Sequence, residues 1–242
     1  MDFTLTKYRE LLTALDDYGQ VMLRHDVDRK PLNSLETARI EREMGWKATY
    51  YFRAVPESWN ESVILQIASL GHAIGYHYES LTTCQGNFEA AFEDFCRNLE
   101  RFRNLVPVST ISMHGSPKSK WDSRDLWKQY DYHALGIETE PYLDTDFSKV
   151  FYLTDTGRRW DGFQVSVRDK IPRFQEQWIA AGLVYHSTDD IIDAVKAGRF
   201  PQSALINTHP QRWTDKQWPW FVELASQSVK NVVKRAIVKK KM

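Results

Sequence analysis

Leu5, Tyr8, Leu11, Leu12 and Leu15 recur at the three- and four-residue spacing of one helix face and predict an N-terminal helix over residues 5–17. Val21-Met22-Leu23 is then an apolar run of β type that ends at Asp26 or Asp28. Asn33 followed by Glu36 resembles a capping box, and Gly45 stops the helix after it. Ala48 to Phe52 reads as a strand ending on Arg53; a helix near 59–69 leads to Gly71, and the run His72 to Tyr76 ends on His77. Phe88, Phe92, Phe95, Leu99 and Phe102 mark a long amphipathic helix capped by Asn87, which hands over to Ser109–Met113 and His114. Residues 121–149 are less regular, with a short helix around Leu126 and Trp127 and a strand at 134–137. Three further runs close the pattern: Val150–Thr154 onto Asp155, Gly182–Tyr185 onto His186, and Ala204–Thr208 onto His209.

Strands alternating with helices predict an α/β fold with a parallel sheet. Each of the seven main β runs finishes on a charged or ligating residue, and four of the chain's seven histidines sit at those ends. In open parallel sheets and in barrels, functional groups gather where the strands finish. The chain has 242 residues with no internal repeat or low-complexity linker, so one domain, 1–242, is expected.

Net charge is zero, which argues against a nucleic-acid partner held by bulk electrostatics. Nine Trp and eleven Tyr leave two readings level: an aromatic core, or aromatics lining a groove that stacks on sugar rings. The first residues carry neither a basic stretch nor an apolar core of a signal peptide, and no run approaches a membrane span. Cys84 and Cys96 lack metal-ligand spacing, so a reduced, cytoplasmic protein is expected.

Side chains alternate along a strand, so Asp26 and Asp28 share a face, where two carboxylates call for a cation or a reaction. With imidazoles converging on them, a divalent metal, zinc foremost, is the expected cofactor. Asp28 and His77 are the expected ligands and Asp26 the base that deprotonates water; His209 is the candidate acid for a leaving amine.

Asp26-Val27-Asp28, Gly71-His-Ala-Ile-Gly75-Tyr-His77 and Leu205-Ile-Asn-Thr-His209 resemble, in order, the motifs of the polysaccharide deacetylases, carbohydrate esterase family 4, also called the NodB homology domain. Leu-Arg-His-Asp-Val-Asp, Gly-Tyr-His-Tyr-Glu, Met-His-Gly-Ser-Pro, Thr-Asp-Thr-Gly-Arg-Arg-Trp and Thr-His-Pro-Gln-Arg-Trp make it most similar to the WbmS-like branch of surface-polysaccharide and O-antigen synthesis. The resemblance implies a distorted (β/α) barrel of seven or eight mostly parallel strands. It also implies metal-dependent removal of acetyl groups from an N-acetylated sugar, here nucleotide- or lipid-linked. It implies Asp26 as base, Asp28 and His77 as metal ligands, His209 as acid, Asp155 as its orienting partner, and Trp160 as pocket wall. The family's second metal histidine falls on Leu81, leaving the third ligand open among Glu79, His114 and His25. Arg24 or Arg53 stands in for the arginine that pairs with the base; Arg53, Trp160, Arg24 and Ser116 are the expected substrate contacts. A metal-free carbohydrate-binding relative, a hydrolase of another C–N amide and a scaffold remain as alternatives.

From Trp218 the apolar residues Phe221, Leu224, Val229, Val232, Val233 and Ile237 run at near-helical spacing, with Lys230, Lys234, Arg235, Lys239, Lys240 and Lys241 among them. Two readings of this basic amphipathic helix, 218–242, stay open: peripheral contact with an anionic membrane, or a packed helix whose solvated basic end complements its own dipole.

Overall fold

The computed structural model describes residues 1–116, 119–166 and 168–241, with side chains described as far as residue 232. Helix α1 (Leu5–Leu15) starts on Thr4, whose hydroxyl accepts from Lys7 N. Strand β1 (Gln20–Val27) runs into α2 (Pro31–Glu43), β2 (Ala48–Phe52), α3 (Glu61–Ser69), β3 (Ala73–Tyr78), a single turn α4 (Ser80–Thr83), α5 (Phe88–Arg103) and β4 (Ile111–Met113). The short α6 (Pro141–Asp144), β5 (Phe151–Thr154), α7 (Pro172–Ala180), α8 (Thr188–Lys196), β6 (Ser203–Thr208) and α9 (Gln217–Lys241) complete the chain. The strands form one sheet in the order β4-β3-β2-β1-β6-β5, and every pairing is parallel.

The expected α/β barrel-like fold is present with six strands among the described residues, not seven or eight. The missing strand is the run Gly182–Tyr185. Gly182 takes a left-handed φ of 75° at the end of α7, and Leu183 N bonds back to Trp178 O, so the backbone is committed to closing that helix. Its apolar character has another cause: Tyr185 is buried against Phe151 and Phe200. Residues 134–137 are likewise no strand. They hold a 3-10 turn, His133–Leu135, and Gly136 at φ 72°; pairing nearby is limited to one bridge between Thr110 and Thr139. Helix α2 starts two residues before Asn33, because Pro31 is preorganised for the first helical position; Asn33 reaches instead toward the carbonyls of Pro210 and Trp213.

The aromatic content is mainly core. Tyr76 packs on Phe95 and Phe102, Phe95 on Trp127, and Trp213 on Phe3 and Tyr8. One polar cluster interrupts that core. His25 projects from β1 away from Asp26 and meets the buried Glu41 of α2 at 2.6 Å, while Tyr50 donates to the same carboxylate at 2.6 Å and Tyr8 adds a third bond. Removing one member of a buried charged network strands the others. Glu41→Ala is expected to cost roughly 3–5 kcal/mol and to lower the melting temperature by roughly 10 °C or more; an unchanged melting curve would contradict it.

No helix among the described residues is long and apolar enough to cross a membrane. Pro117 of the Met-His-Gly-Ser-Pro motif, Met242 and the side chains of Val233, Lys234, Arg235, Ile237, Lys239, Lys240 and Lys241 lie outside the described residues.

Candidate metal centre and its cleft

Five of the strands deliver a side chain to one cleft. Arg24 and Asp26 share the inner face of β1, and Asp28 follows its last residue. Arg24 Nε and Nη2 donate to Asp26 Oδ1 at 3.1 and 3.0 Å, Nη2 reaches Oδ2 at 3.0 Å, and Asn207 Nδ2 of β6 donates to Oδ2 at 2.9 Å. Burial pushes the Asp26 carboxyl up, but Arg24, with His77 and His209, pulls it further down, so it sits below the ordinary carboxylate value as an anion. On β3, Gly75 leaves room for the Tyr51 ring; a Cβ there would lie 2.4 Å from it.

Asp28, His77 and His114 each offer a ligand atom within 4.8 Å of the other two. His77 Nε2 lies 3.7 Å and His114 Nε2 3.5 Å from Asp28 Oδ1. That oxygen is buried and has no hydrogen-bond partner among the described residues. Both imidazoles are fixed from behind. His77 Nδ1 donates to the Ser112 carbonyl at 2.9 Å, and His114 Nδ1 donates to Glu79 Oε2 at 2.9 Å, so each Nε2 turns a lone pair toward the orphaned oxygen. Tetrahedral zinc with bonds of about 2.0–2.1 Å would set its ligand atoms about 3.3 Å apart. The donor types, the spacing and the unsatisfied oxygen therefore fit a divalent cation.

Burial, against the pull of Asp26, holds His77 down at about 4, below the ordinary 6.5, so it is a neutral imidazole. A depressed folded value contributes stability that is present above 6.5 and is lost as pH falls toward 4, because the unfolded imidazole binds a proton that the folded one refuses. Metal-free protein is expected to lose melting temperature over that window, and His77→Asn should flatten this part of the curve; an identical slope in both would contradict it.

Across the cleft, His209 follows β6 and Asp155 follows β5. His209 Nδ1 meets Asp155 Oδ1 at 2.6 Å, and Asp155 is also held by Arg212 Nη1 and Trp213 Nε1, each at 2.7 Å. Burial and Arg212 push the imidazole down, yet Asp155 and Asp28 outweigh them and hold His209 above its ordinary value. Its Nε2 stands 3.9 Å from Asp28 Oδ2.

Several residues singled out in the sequence are placed elsewhere. Glu79 gives one oxygen to His114 and the other to Arg53, at 3.0 and 2.6 Å, so it backs the imidazole from outside the cluster. His25 faces Glu41, on the far side of β1. Arg24, and not Arg53, pairs with Asp26; Arg53 also donates to the Asp28 carbonyl and borders a neighbouring groove. Trp160 does not wall the cleft: it is buried, donates to Thr188 Oγ1 at 2.9 Å and packs against Phe3 and Trp213. Ser116 turns its carbonyl to Arg168, and Gly115 lines the cleft in its place. His186 is bonded to Asp161, and His72 is buried between Ala38 O and Ala48 N.

Asp169, Arg168 and Tyr142 line the cleft with no motif in the sequence around them, whereas Gln211 and Arg212 belong to the Thr-His-Pro-Gln-Arg-Trp motif, which carried no role for them. Asp169 accepts from Tyr142 at 2.9 Å, Tyr152 at 2.5 Å and Thr154 at 2.8 Å, and it lines the cleft behind Asp26. Gln211 Nε2 donates to Asp28 Oδ2 at 3.2 Å. The cleft, about 120 Å³, adjoins a wider groove of about 340 Å³ bordered by Arg29, Arg53, Glu57, Gln227 and Lys230. Tyr142 is the Tyr, Trp or Phe side chain that lines the cleft among the described residues, so of the two readings of the aromatic content the core is the one the structure favours.

No family model and no curated protein matches the chain. Among solved structures, a carbohydrate esterase family 4 esterase from Streptococcus mutans is 12% identical over 93% of this chain and 85% of its own, with a TM-score of 0.48. A family 4 carbohydrate esterase from Streptomyces lividans, solved in complex with acetate, is 16% identical over 88% and 90%, with a TM-score of 0.46. A family 4 pseudoenzyme from Bacillus anthracis is 12% identical over 88% and 62%, with a TM-score of 0.43.

Proposed function

We propose that the chain is a metal-dependent hydrolase that removes the acetyl group of an N-acetylated sugar during surface-polysaccharide assembly, as the WbmS-like motifs suggest. The observation that carries this reading is the orphaned Asp28 Oδ1 facing two oriented histidines, with Asp26 on one side and Asp155-backed His209 on the other. Asp28, His77 and His114 would hold the ion, and zinc suits that donor set. When bound, it supplies Lewis acidity toward the acetyl carbonyl and the attacking water.

The chain's own residues do the rest. Arg24 keeps Asp26 anionic, so the carboxylate takes the proton of the attacking water by giving up one of its bonds from Arg24 or Asn207. Asp155 fixes the His209 tautomer with hydrogen on Nδ1 and stabilises the imidazolium; Nε2 then passes its proton to the departing sugar nitrogen. Glu79 keeps His114 turned inward, and the Ser112 carbonyl does the same for His77. Arg29, Arg53 and Lys230 at the adjoining groove suit the phosphate of a nucleotide- or lipid-linked sugar.

The test is acetate release from a panel of N-acetylated sugars, free, nucleotide-linked and lipid-linked, by zinc-loaded protein. Release that is abolished by chelation and restored by zinc supports the proposal. Stoichiometric zinc with no acetate from any member would favour a hydrolase of another amide, and absence of zinc binding would favour the metal-free carbohydrate binder.

A further inference from the structure

Helix α9 is mounted with its polar side inward. Trp220, Glu223, Gln227 and Asn231, spaced three and four residues apart, form the stripe that meets the domain. Trp220 Nε1 donates to Asp2 O at 2.7 Å, Glu223 accepts from Arg29 at 2.8 and 2.9 Å, and Asn231 Nδ2 donates to Gly157 O at 2.8 Å. Glu223 and Gln227 are 3% and 4% exposed. At 3.6 residues per turn the opposite side carries Trp218, Phe221, Val222, Ala225, Val229 and Val232. That side faces solvent: Trp218 is 77% exposed, Phe221 54%, Val229 68% and Val232 70%. A surface helix ordinarily buries its apolar stripe and shows its polar one. A contiguous apolar stripe turned outward marks a contact surface.

Charge selects the occupant. After Glu223 the sequence holds Lys230, Lys234, Arg235, Lys239, Lys240 and Lys241 and no acidic residue. Two copies pairing along the stripe in parallel would bring two such basic segments together. In antiparallel pairing the helix offers no free carboxylate, since Glu223 is buried against Arg29. A bilayer carrying anionic phosphates answers both features, taking the tryptophan and phenylalanine at its acyl boundary and matching the net positive charge of the segment with its own negative charge.

We propose that α9 seats the protein on an anionic lipid surface. The inner side of the same helix supplies Gln227 and Lys230 to the groove that leads to Asp28 and His114. Lipid docking stands apart from the proposed deacetylation, because its readout does not use activity.

The experiment is co-sedimentation of the full chain with phosphatidylglycerol/phosphatidylcholine vesicles and with pure phosphatidylcholine vesicles, over a salt series. The expected result is at least about tenfold stronger binding to the anionic vesicles, weakening as salt rises. Phe221→Ser combined with Val229→Ser should reduce binding by about tenfold or more at an unchanged circular dichroism spectrum. Equal binding to both vesicles, or none to either, overturns the proposal. So does a wild-type dimer in sedimentation velocity that the double variant abolishes, which would assign the stripe to a second copy. The salt series on the wild-type chain decides the matter even if the variant does not fold.

Discussion

Asp26→Asn is expected to slow acetate release by about a thousandfold while zinc still binds with little change. Asparagine keeps the shape of the side chain and its bond from Asn207 or Arg24, but it cannot accept the proton of the attacking water. The geometry adds a structural cost. Arg24 is buried, and its partner is this carboxylate, so the variant leaves a charge uncompensated and should lose roughly 3 kcal/mol of stability. Rates must therefore be compared well below the variant's melting temperature, with calorimetric zinc titration alongside. Turnover within a few-fold of wild type would remove Asp26 from the role of base.

His114→Ala is expected to weaken zinc binding by more than about a hundredfold, since even the loss of a residue that merely backs a ligand costs about 10–100-fold. Glu79→Gln separates two of the three residues left open as the third ligand, His25 being turned to Glu41. Glutamine retains an oxygen for His114 Nδ1, so a supporting Glu79 predicts a modest loss, at the low end of that range, whereas a ligating Glu79 predicts a loss as large as that of His114→Ala. Titration calorimetry of both variants reads the difference directly. Equal and severe losses would place Glu79 in the coordination sphere.

The parts of the site that could be read from the chain were those where an apolar β run stops abruptly on a polar residue. Asp28, His77, His114, Asp155 and His209 are all of this kind, and parallel pairing gathers strand ends at one rim. Alternation also separates Asp26 from His25, and the buried Glu41 confirms how strictly the two faces of β1 differ. Choosing between Glu79 and His114 required the register of β3 on β4, in which His77 pairs with Ser112 and His114 emerges one residue past the strand. Single-strand periodicity holds no such information. Asp169 and Arg168 sit in a loop with no pattern around them, and tertiary contacts alone bring them to the cleft.

Trp160 shows a different failure: a motif does not say which way a ring points. It packs beneath Trp213, which in turn holds Asp155. Gly182–Tyr185 reads as a strand because a short apolar run bounded by polar residues looks the same whether it pairs in a sheet or closes a helix. Helix α9 was legible in its period and not in its orientation, since nothing local dictates that Glu223 finds Arg29 and turns the apolar stripe outward.

A crystal soaked in zinc and measured at the zinc absorption edge tests most directly whether these strand ends form a metal centre. One dominant anomalous peak is expected about 2.0–2.2 Å from Asp28 Oδ1, His77 Nε2 and His114 Nε2, with Glu79 still bonded to His114 Nδ1. A site left without signal under saturating zinc, or a peak bound by other residues, would contradict it.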